Sequence, residues 1–359
     1  MSVTIKSPEQ LELMREAGKI LAKVHEQLGK ELKPGMSTYE IDRIGEEMIR
    51  SFGCIPSFKN YCGYPASVCV SIDEEVVHGI PSREKFIQEG DIVSLDIGVI
   101  HKGYHSDAAR THAVGTVSKE AELLMERTRQ SFFEGMKYAT AGRHLHEISR
   151  AIGDYAESFG YGVVRDLCGH GIGTHLHEDP DIPNFRQFRR GIKLRPGMTL
   201  AIEPMINIGT ADVAWLDDEW TVVTQDMSLS AHYENTIIIT DGKPEILTLT
   251  DSEIASHIWE PSSCHNANGK GKNMELEFAK SLSGHDRNQY YLVVKKEEQN
   301  VYLVNGTTKS LDSPKKKNRR HIQIIRKLPD EVREALEESV TDLTVKRAIK
   351  LLEKQQNKD

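Results

Sequence analysis

Gly90-Asp-Ile-Val-Ser-Leu-Asp96 has a counterpart in Gly197-Met-Thr-Leu-Ala-Ile-Glu203. Each is a glycine, then five residues whose apolar positions fall in register (Val93 with Leu200, Leu95 with Ile202), then a carboxylate. A short apolar run bounded by a turn residue reads as a strand. Helical patterns precede each run. In the first half, Ser7-Pro8-Glu9-Gln10 supplies an N-cap, a proline at the first helical position and a capping-box glutamine. Leu11, Met14, Leu21, Val24, Leu28 and Leu32 then recur at helical spacing until Pro34-Gly35. A second helix is expected from Thr38 to Gly53, and strands at Ser67–Ser71, Asp91–Val99 and His105–His112. The second half repeats the order, with helices expected at Lys119–Tyr138 and His144–Phe159 and strands after them. The agreement points to an internal duplication within an α+β domain.

The carboxylates that close these runs need an explanation. Asp96 stands in Ile92-Val-Ser-Leu-Asp-Ile-Gly98, where a lone charge is costly. Asp107 lies on the next strand. A turn at His101-Lys102 sets it directly opposite Asp96, and a turn at Lys102-Gly103 sets it one diagonal step away on the same face. Either register brings two like charges together, which calls for a cation between them. Glu203 before Pro204, Glu234 in His232-Tyr-Glu-Asn-Thr236, and His170 in Gly169-His-Gly-Ile-Gly-Thr-His-Leu-His-Glu178 extend the set. Four carboxylates and one histidine suit a pair of divalent Co, Mn, Fe or Zn ions better than a structural zinc, which takes thiolates. Two such ions roughly 4 Å apart can share a bridging hydroxide as a hydrolytic nucleophile.

Composition narrows the setting. The chain has 359 residues, a net charge of −8, 38% hydrophobic and 28% charged residues, enough apolar content for a large domain and a smaller one. It has no apolar run of the roughly 18 residues a membrane span needs. Met1 to Lys6 carry no signal-like pattern. Its five cysteines (Cys54, Cys62, Cys69, Cys168, Cys264) form no C-x-x-C pair. A cytoplasmic, disulfide-free protein is expected. Charge is unevenly spread: residues 1–272 hold 28 Lys and Arg against 40 Asp and Glu, residues 273–359 hold 18 against 14. An acidic body with a basic tail suggests two modules.

His78 in Val-Val-His-Gly-Ile-Pro81, Asp96 in Ser-Leu-Asp-Ile-Gly, Asp107 in Tyr-His-Ser-Asp-Ala-Ala-Arg-Thr111, the Gly169-His-Gly-Ile-Gly block and Ala-Ile-Glu-Pro-Met205 closely resemble the type I methionine aminopeptidases over roughly residues 3–250. The resemblance implies the pita-bread fold, two pseudo-symmetric halves around a dinuclear metal site. It implies that Asp96, Asp107, His170, Glu203 and Glu234 are the metal ligands and that Glu203 also shuttles a proton. By the same resemblance His78 positions substrate, His177 contacts the scissile carbonyl, and Tyr61, Tyr64, Cys69 and Trp220 line a pocket for the methionine side chain. His175, alternating with His177 on one strand face, reads as an outer residue or a structural one. Phe58 stands where many bacterial relatives carry cysteine, and Leu176 where phenylalanine is common; both reshape the pocket. His170 and Glu203 are too close in sequence for the insertion of the type II enzymes. By the same resemblance the chain is expected to start at the catalytic domain, without the zinc-finger extension of cytosolic eukaryotic type I enzymes, and a bacterial origin is expected.

Residues 253–273 read as a polar linker. Residues 274–327 resemble the KOW-type domains of ribosomal proteins, small SH3-like β-barrels that bind RNA. The resemblance rests on Leu276-Glu-Phe-Ala-Lys-Ser-Leu-Ser-Gly-His-Asp286, Tyr290-Tyr-Leu-Val-Val294, Tyr302-Leu-Val-Asn-Gly306 and Pro314-Lys-Lys-Lys-Asn-Arg-Arg-His321. The glycine usual in its RNA-contact loop is Asn288 here. Lys315, Lys316, Lys317, Arg319 and Arg320 are the candidate phosphate contacts, the alternative being a solvated charged loop. A helical tail is expected over 328–359. The expected partners are nascent polypeptide N-termini and, through the basic module, the ribosome or its RNA. No membrane is expected, and the chain is expected to be a monomer, although a dimerising tail stays open. The function expected is removal of initiator methionine when the second residue is small, over residues 1–252. Its rivals are an Xaa-Pro aminopeptidase or dipeptidase of the same fold and a non-catalytic ribosome-binding scaffold.

Overall fold

The computed structural model describes residues 3–256 and, beyond them, 277–284, 286–287, 289–296, 299–305, 307–309, 314–325, 332 and 342–356. The chain divides into two compact units, residues 1–264 and 265–359. A short helix, Asp251–Ala255, runs across the boundary expected at 252. From residue 257 the expected linker lies outside the described residues.

The first unit is two α+β halves. Helices α1 (Pro8–Glu31) and α2 (Thr38–Ser51) belong to the first, α3 (Lys119–Met136) and α4 (Leu145–Glu157) to the second. Ser7 and Gln10 close the capping box at the start of α1. The Asp42 carboxylate of α2 accepts from the Ser67 and Val68 backbone N–H groups, docking that helix on the strand Val68–Ile72. The strand Ile92–His101 pairs with Val68–Ile72 on one side and, along its full length, with Tyr104–Ala113 on the other. Lys102 and Gly103, at φ 50° and 84°, make the turn, so the diagonal register holds: Gly98 faces Asp107 and Asp96 faces Ala109. In the second half Thr199–Ile202 pairs with Asn235–Ile238 and with Gly169–Gly171.

The duplication reaches single hydrogen bonds. Gly90 N–H donates to Val114 O and Val114 N–H to Asp91 O, each at 2.9 Å; Gly197 N–H donates to Ile239 O and Ile239 N–H to Met198 O, each at 2.9 Å. Both glycines have positive φ, 100° and 82°, a conformation side chains resist. That is why the matched runs open on glycine. The halves join where Ala109 and Glu234 exchange backbone hydrogen bonds. Each half has its own core, Leu21, Leu28, Val70 and Leu95 in one, Phe132, Ile148, Leu200 and Ile237 in the other. A third apolar cluster includes Met14, Phe58, Tyr64, Cys69, Ile172, Leu176 and Ile238.

The second unit is an antiparallel sheet in the order Lys315–Asn318, Asn300–Val304, Tyr290–Lys296, Glu277–Ser281, Ile322–Ile325. Among the described residues no pairing joins its two outer strands, so the closed barrel expected over 274–327 is not shown. The basic run is not a loop: Lys315–Asn318 is a sheet-edge strand and Arg319–His321 a 3₁₀ turn. A helix at Asp342–Gln356 packs Val345, Ala348 and Leu352 against Phe278 and Leu292. The rest of the expected tail, apart from the buried Val332, lies outside the described residues. Among the described residues no helix is long and apolar enough to cross a membrane.

Candidate active site

Paired strands place the acids before any ligand is considered. Cys69 faces Asp96 across one neighbouring strand, and Gly98 faces Asp107 across the other. Extending the Ile202–Asn235 pairing by one step sets Glu203 beside Glu234. His170 lies next to them, paired with Ala201. One donor atom each from Asp107, His170 and Glu234 lies within 4.8 Å of the others. His170 Nε2 is 3.9 Å from Asp107 Oδ2 and 3.8 Å from Glu203 Oε1.

The electrostatics are those of a cation site. Burial pushes Asp96 up to about 7 and Glu203 up to about 8. Burial and then the neighbouring carboxylates push Asp107 and Glu234 well above the carboxylate range. Asp96 Oδ1, Asp107 Oδ1 and Glu234 Oε1 are buried without a hydrogen-bond partner among the described residues. Burial lowers His170 to about 3, so its ring is neutral. Its Nδ1 sits 2.9 Å from Gly171 O; donating there leaves the Nε2 lone pair facing the acids, the tautomer a metal ligand needs. Orphaned carboxylate oxygens and one correctly turned imidazole fit hard or borderline divalent ions.

All five candidate ligands line one cavity of about 390 Å³. Its other walls include the expected pocket residues Tyr61, Tyr64, Cys69 and Trp220, together with His78, His177, Phe58 and Leu176. Tyr64 packs edge-on against Trp220 at 5.1 Å, and His78 against the same ring at 6.2 Å. His78 has φ 60°, a strained conformation for a non-glycine residue. Gly79 beside it cannot carry a side chain, because a Cβ there would meet Val70 O at 2.3 Å. The Tyr61 hydroxyl is 2.8 Å from His177 Nδ1, and the His177 ring stands edge-on to His170 at 4.3 Å. Phe58 packs over Gly98, opposite Asp107.

His175 corrects the strand reading of its segment. Residues 174–177 are bends, the strand begins at Glu178, and His175 is exposed and outside the cavity lining. Sequence reasoning also passed over His232, fully buried with Nε2 3.5 Å from Glu203 Oε2. Its period-two spacing from Glu234 was the available signal. Arg110 donates from the buried side to Glu253, Asn235 and the Glu234 carbonyl.

The basic candidates of the second unit do not act together. Lys317 Nζ, nearly buried, donates to Ser281 Oγ, Ser283 O and Asp286 Oδ1. Lys315 pairs with Asp286 at 2.9 Å. Lys316 lies near the Tyr302 ring, and Arg319 and Arg320 are exposed.

The sequence profile of metallopeptidase family M24 matches residues 12–241. The chain belongs to that family. It is therefore an enzyme, a metallopeptidase with the pita-bread α+β fold. A methionine aminopeptidase of Clostridium acetobutylicum is 53% identical over 249 residues, covering 69% of this chain and all of that protein. The crystal structure of a methionine aminopeptidase from Thermotoga maritima matches at TM-score 0.67 and 42% identity, covering 69% of this chain and 99% of its own. A prolidase from Pyrococcus furiosus is more distant, at TM-score 0.55 and 25% identity over 69% and 66% of the two chains. The M24 match ends before the second unit begins.

Proposed function

We propose that the chain is a methionine aminopeptidase that removes the N-terminal methionine of new polypeptides when the second residue is small. The observation that carries this reading is one cavity in which the apolar side chains Phe58, Tyr61, Tyr64, Cys69, Leu176 and Trp220 share the lining with the buried acids. Such a space takes an unbranched apolar side chain and leaves the adjoining peptide bond over Asp107 and Glu203. Asp96, Asp107, His170, Glu203 and Glu234 would hold two divalent ions (Co, Mn, Fe or Zn). When bound, these ions supply an activated water and polarise the scissile carbonyl.

The chain's own residues do the rest. Glu203 takes the proton the attacking water releases and passes it to the departing amine, so the C–N bond breaks as N–H forms. His177, with Nδ1 engaged by the Tyr61 hydroxyl, turns Nε2–H towards the carbonyl oxygen where negative charge develops. His78 and Trp220 hold the peptide against the acids. The rival Xaa-Pro activity separates on substrate. Free methionine should be released from Met-Ala-Ser, with no hydrolysis of an Xaa-Pro peptide. Preference for the proline peptide contradicts this reading, and no hydrolysis of either favours the scaffold.

We propose further that the second unit, an SH3-like barrel of KOW type, docks the enzyme on ribosomal RNA through Lys316, Arg319 and Arg320. Exposed cations beside the sheet-edge strand support this. Co-sedimentation of the K316A/R319A/R320A full chain with ribosomes should fall below wild type; equal co-sedimentation sinks the docking.

A further inference from the structure

His232 is 1% exposed, and among the described residues neither of its ring nitrogens has a hydrogen-bond partner. A buried imidazole without a partner is unfavourable, so its surroundings matter. The nearest carboxylate is Glu203, whose two oxygens face different ways: Oε1 lies 3.8 Å from His170 Nε2, Oε2 lies 3.5 Å from His232 Nε2.

The duplication says what this place in the fold is for. Thr236 Oγ1 accepts from Asp107 N–H at 2.9 Å and donates to Asp107 O at 2.8 Å. Thr111 Oγ1 accepts from His232 N–H at 2.9 Å and donates to His232 O at 3.0 Å. The backbone of each residue is clamped by one threonine of the other half, symmetrically about the Ala109–Glu234 pair. His232 is thus the counterpart of Asp107, as Glu203 is the counterpart of Asp96. In the first half the two matched positions are both acids. In the second half the acid Glu203 has an imidazole beside it.

We propose that His232 is the positioning residue of Glu203, its Nε2–H donating to Oε2 so that Oε1 is turned to the metal side. A rotation about the soft terminal torsion of the glutamate closes the 3.5 Å separation. The clamp by Thr111 fixes the His232 backbone from which the ring projects. A carboxylate with one oxygen tied in this way presents the other at a fixed angle, and such outer contacts are typically worth ten- to a hundred-fold in metal affinity or activity, roughly. The inference rests on the metallopeptidase reading of Glu203 as a ligand.

The test is titration of the metal-free full chain with Mn(II), following free Mn(II) by its EPR signal, for wild type, H232L and H232Q. H232L should bind Mn(II) about ten- to a hundred-fold more weakly. H232Q, whose amide N–H reaches the same oxygen, should recover most of that loss. On Met-Ala-Ser, kcat should fall with Mn(II) affinity while KM moves by about twofold or less. Should H232L not fold, H232N takes its place against H232Q, because its shorter amide does not reach Oε2. Wild-type Mn(II) affinity in a folded H232L or H232N chain overturns the proposal. Mn(II) binding without methionine release from the wild type would sink the peptidase reading and leave the His232 proposal to be judged on binding alone.

Discussion

In the first unit four carboxylates line one cavity, and among the described residues only two histidines, His170 and His232, lie within ion-pair distance of them, both neutral and held near 3 and 4 by burial. In the second unit five cations follow one another along a strand and a turn, and one carboxylate, Asp286, already answers two of them. Sequence shows both as charge clusters, yet only the first is buried, like-charged and unsatisfied. Burial without partners marks a site that needs a ligand. Pairing with Asp286 marks Lys315 and Lys317 as structural, and the proposed nucleic-acid role rests on the exposed Lys316, Arg319 and Arg320.

The largest effect should come from emptying the first cluster of a ligand. Asp107→Asn should lower kcat/KM for Met-Ala-Ser by at least about a thousand-fold, since a metal's charge stabilisation is worth several kcal/mol. Activity within tenfold of wild type contradicts the ligand role. Next comes the buried cation that is answered. Arg110 is paired with Glu253 at 2.8 Å with both nearly buried, so Glu253→Gln leaves a guanidinium without its counter-charge. Denaturant unfolding should show a loss of about 3 kcal/mol, and a loss below about 1 kcal/mol, as for an exposed pair, speaks against it.

In the second cluster, Lys317→Met should lower stability by about 2 kcal/mol, because three acceptors lose a charged donor, while ribosome co-sedimentation stays at the wild-type level. A binding loss without destabilisation would erase the contrast between the clusters.

The smallest effect is a pH slope in the metal-free protein. Asp96 and Glu203, raised to about 7 and about 8, hold protons in the folded state that the unfolded chain has released. Stability therefore falls as pH rises through that range, and Asp107 and Glu234, raised by the same burial, act in the same sense. Below 6.5 the buried histidines, lowered to about 3 or 4, act in the opposite sense, so the window to read is pH 6.5 to 8. Thermal melts in chelator should show a declining Tm there, and added Mn(II) should raise Tm more at pH 8 than at pH 6.5. A rising Tm in chelator contradicts the account.

Much of the fold was legible because local signals agreed with the tertiary result. The capping box at Ser7 and the glycine before each matched strand each had a physical reason visible in the residues. The five candidate ligands were legible because a carboxylate inside an apolar strand is anomalous by itself. His232 offered only its period-two spacing from Glu234, which singles out nothing until its burial and the Thr111 clamp are known. The bends around His175 were misread because alternation over three residues cannot tell a strand from a turn. Likewise a run of lysines gave no sign that Asp286, distant in sequence, would fold onto Lys315 and Lys317.

The central claim is that the buried acids hold the metal on which hydrolysis depends. Its most direct test is to strip the wild-type and Asp107→Asn chains of metal, add Mn(II) back stepwise, and follow methionine release from Met-Ala-Ser together with bound Mn(II). Wild-type activity should rise with occupancy, and Asp107→Asn should stay inactive. Methionine release that survives stripping, or that returns equally in both chains, would contradict it.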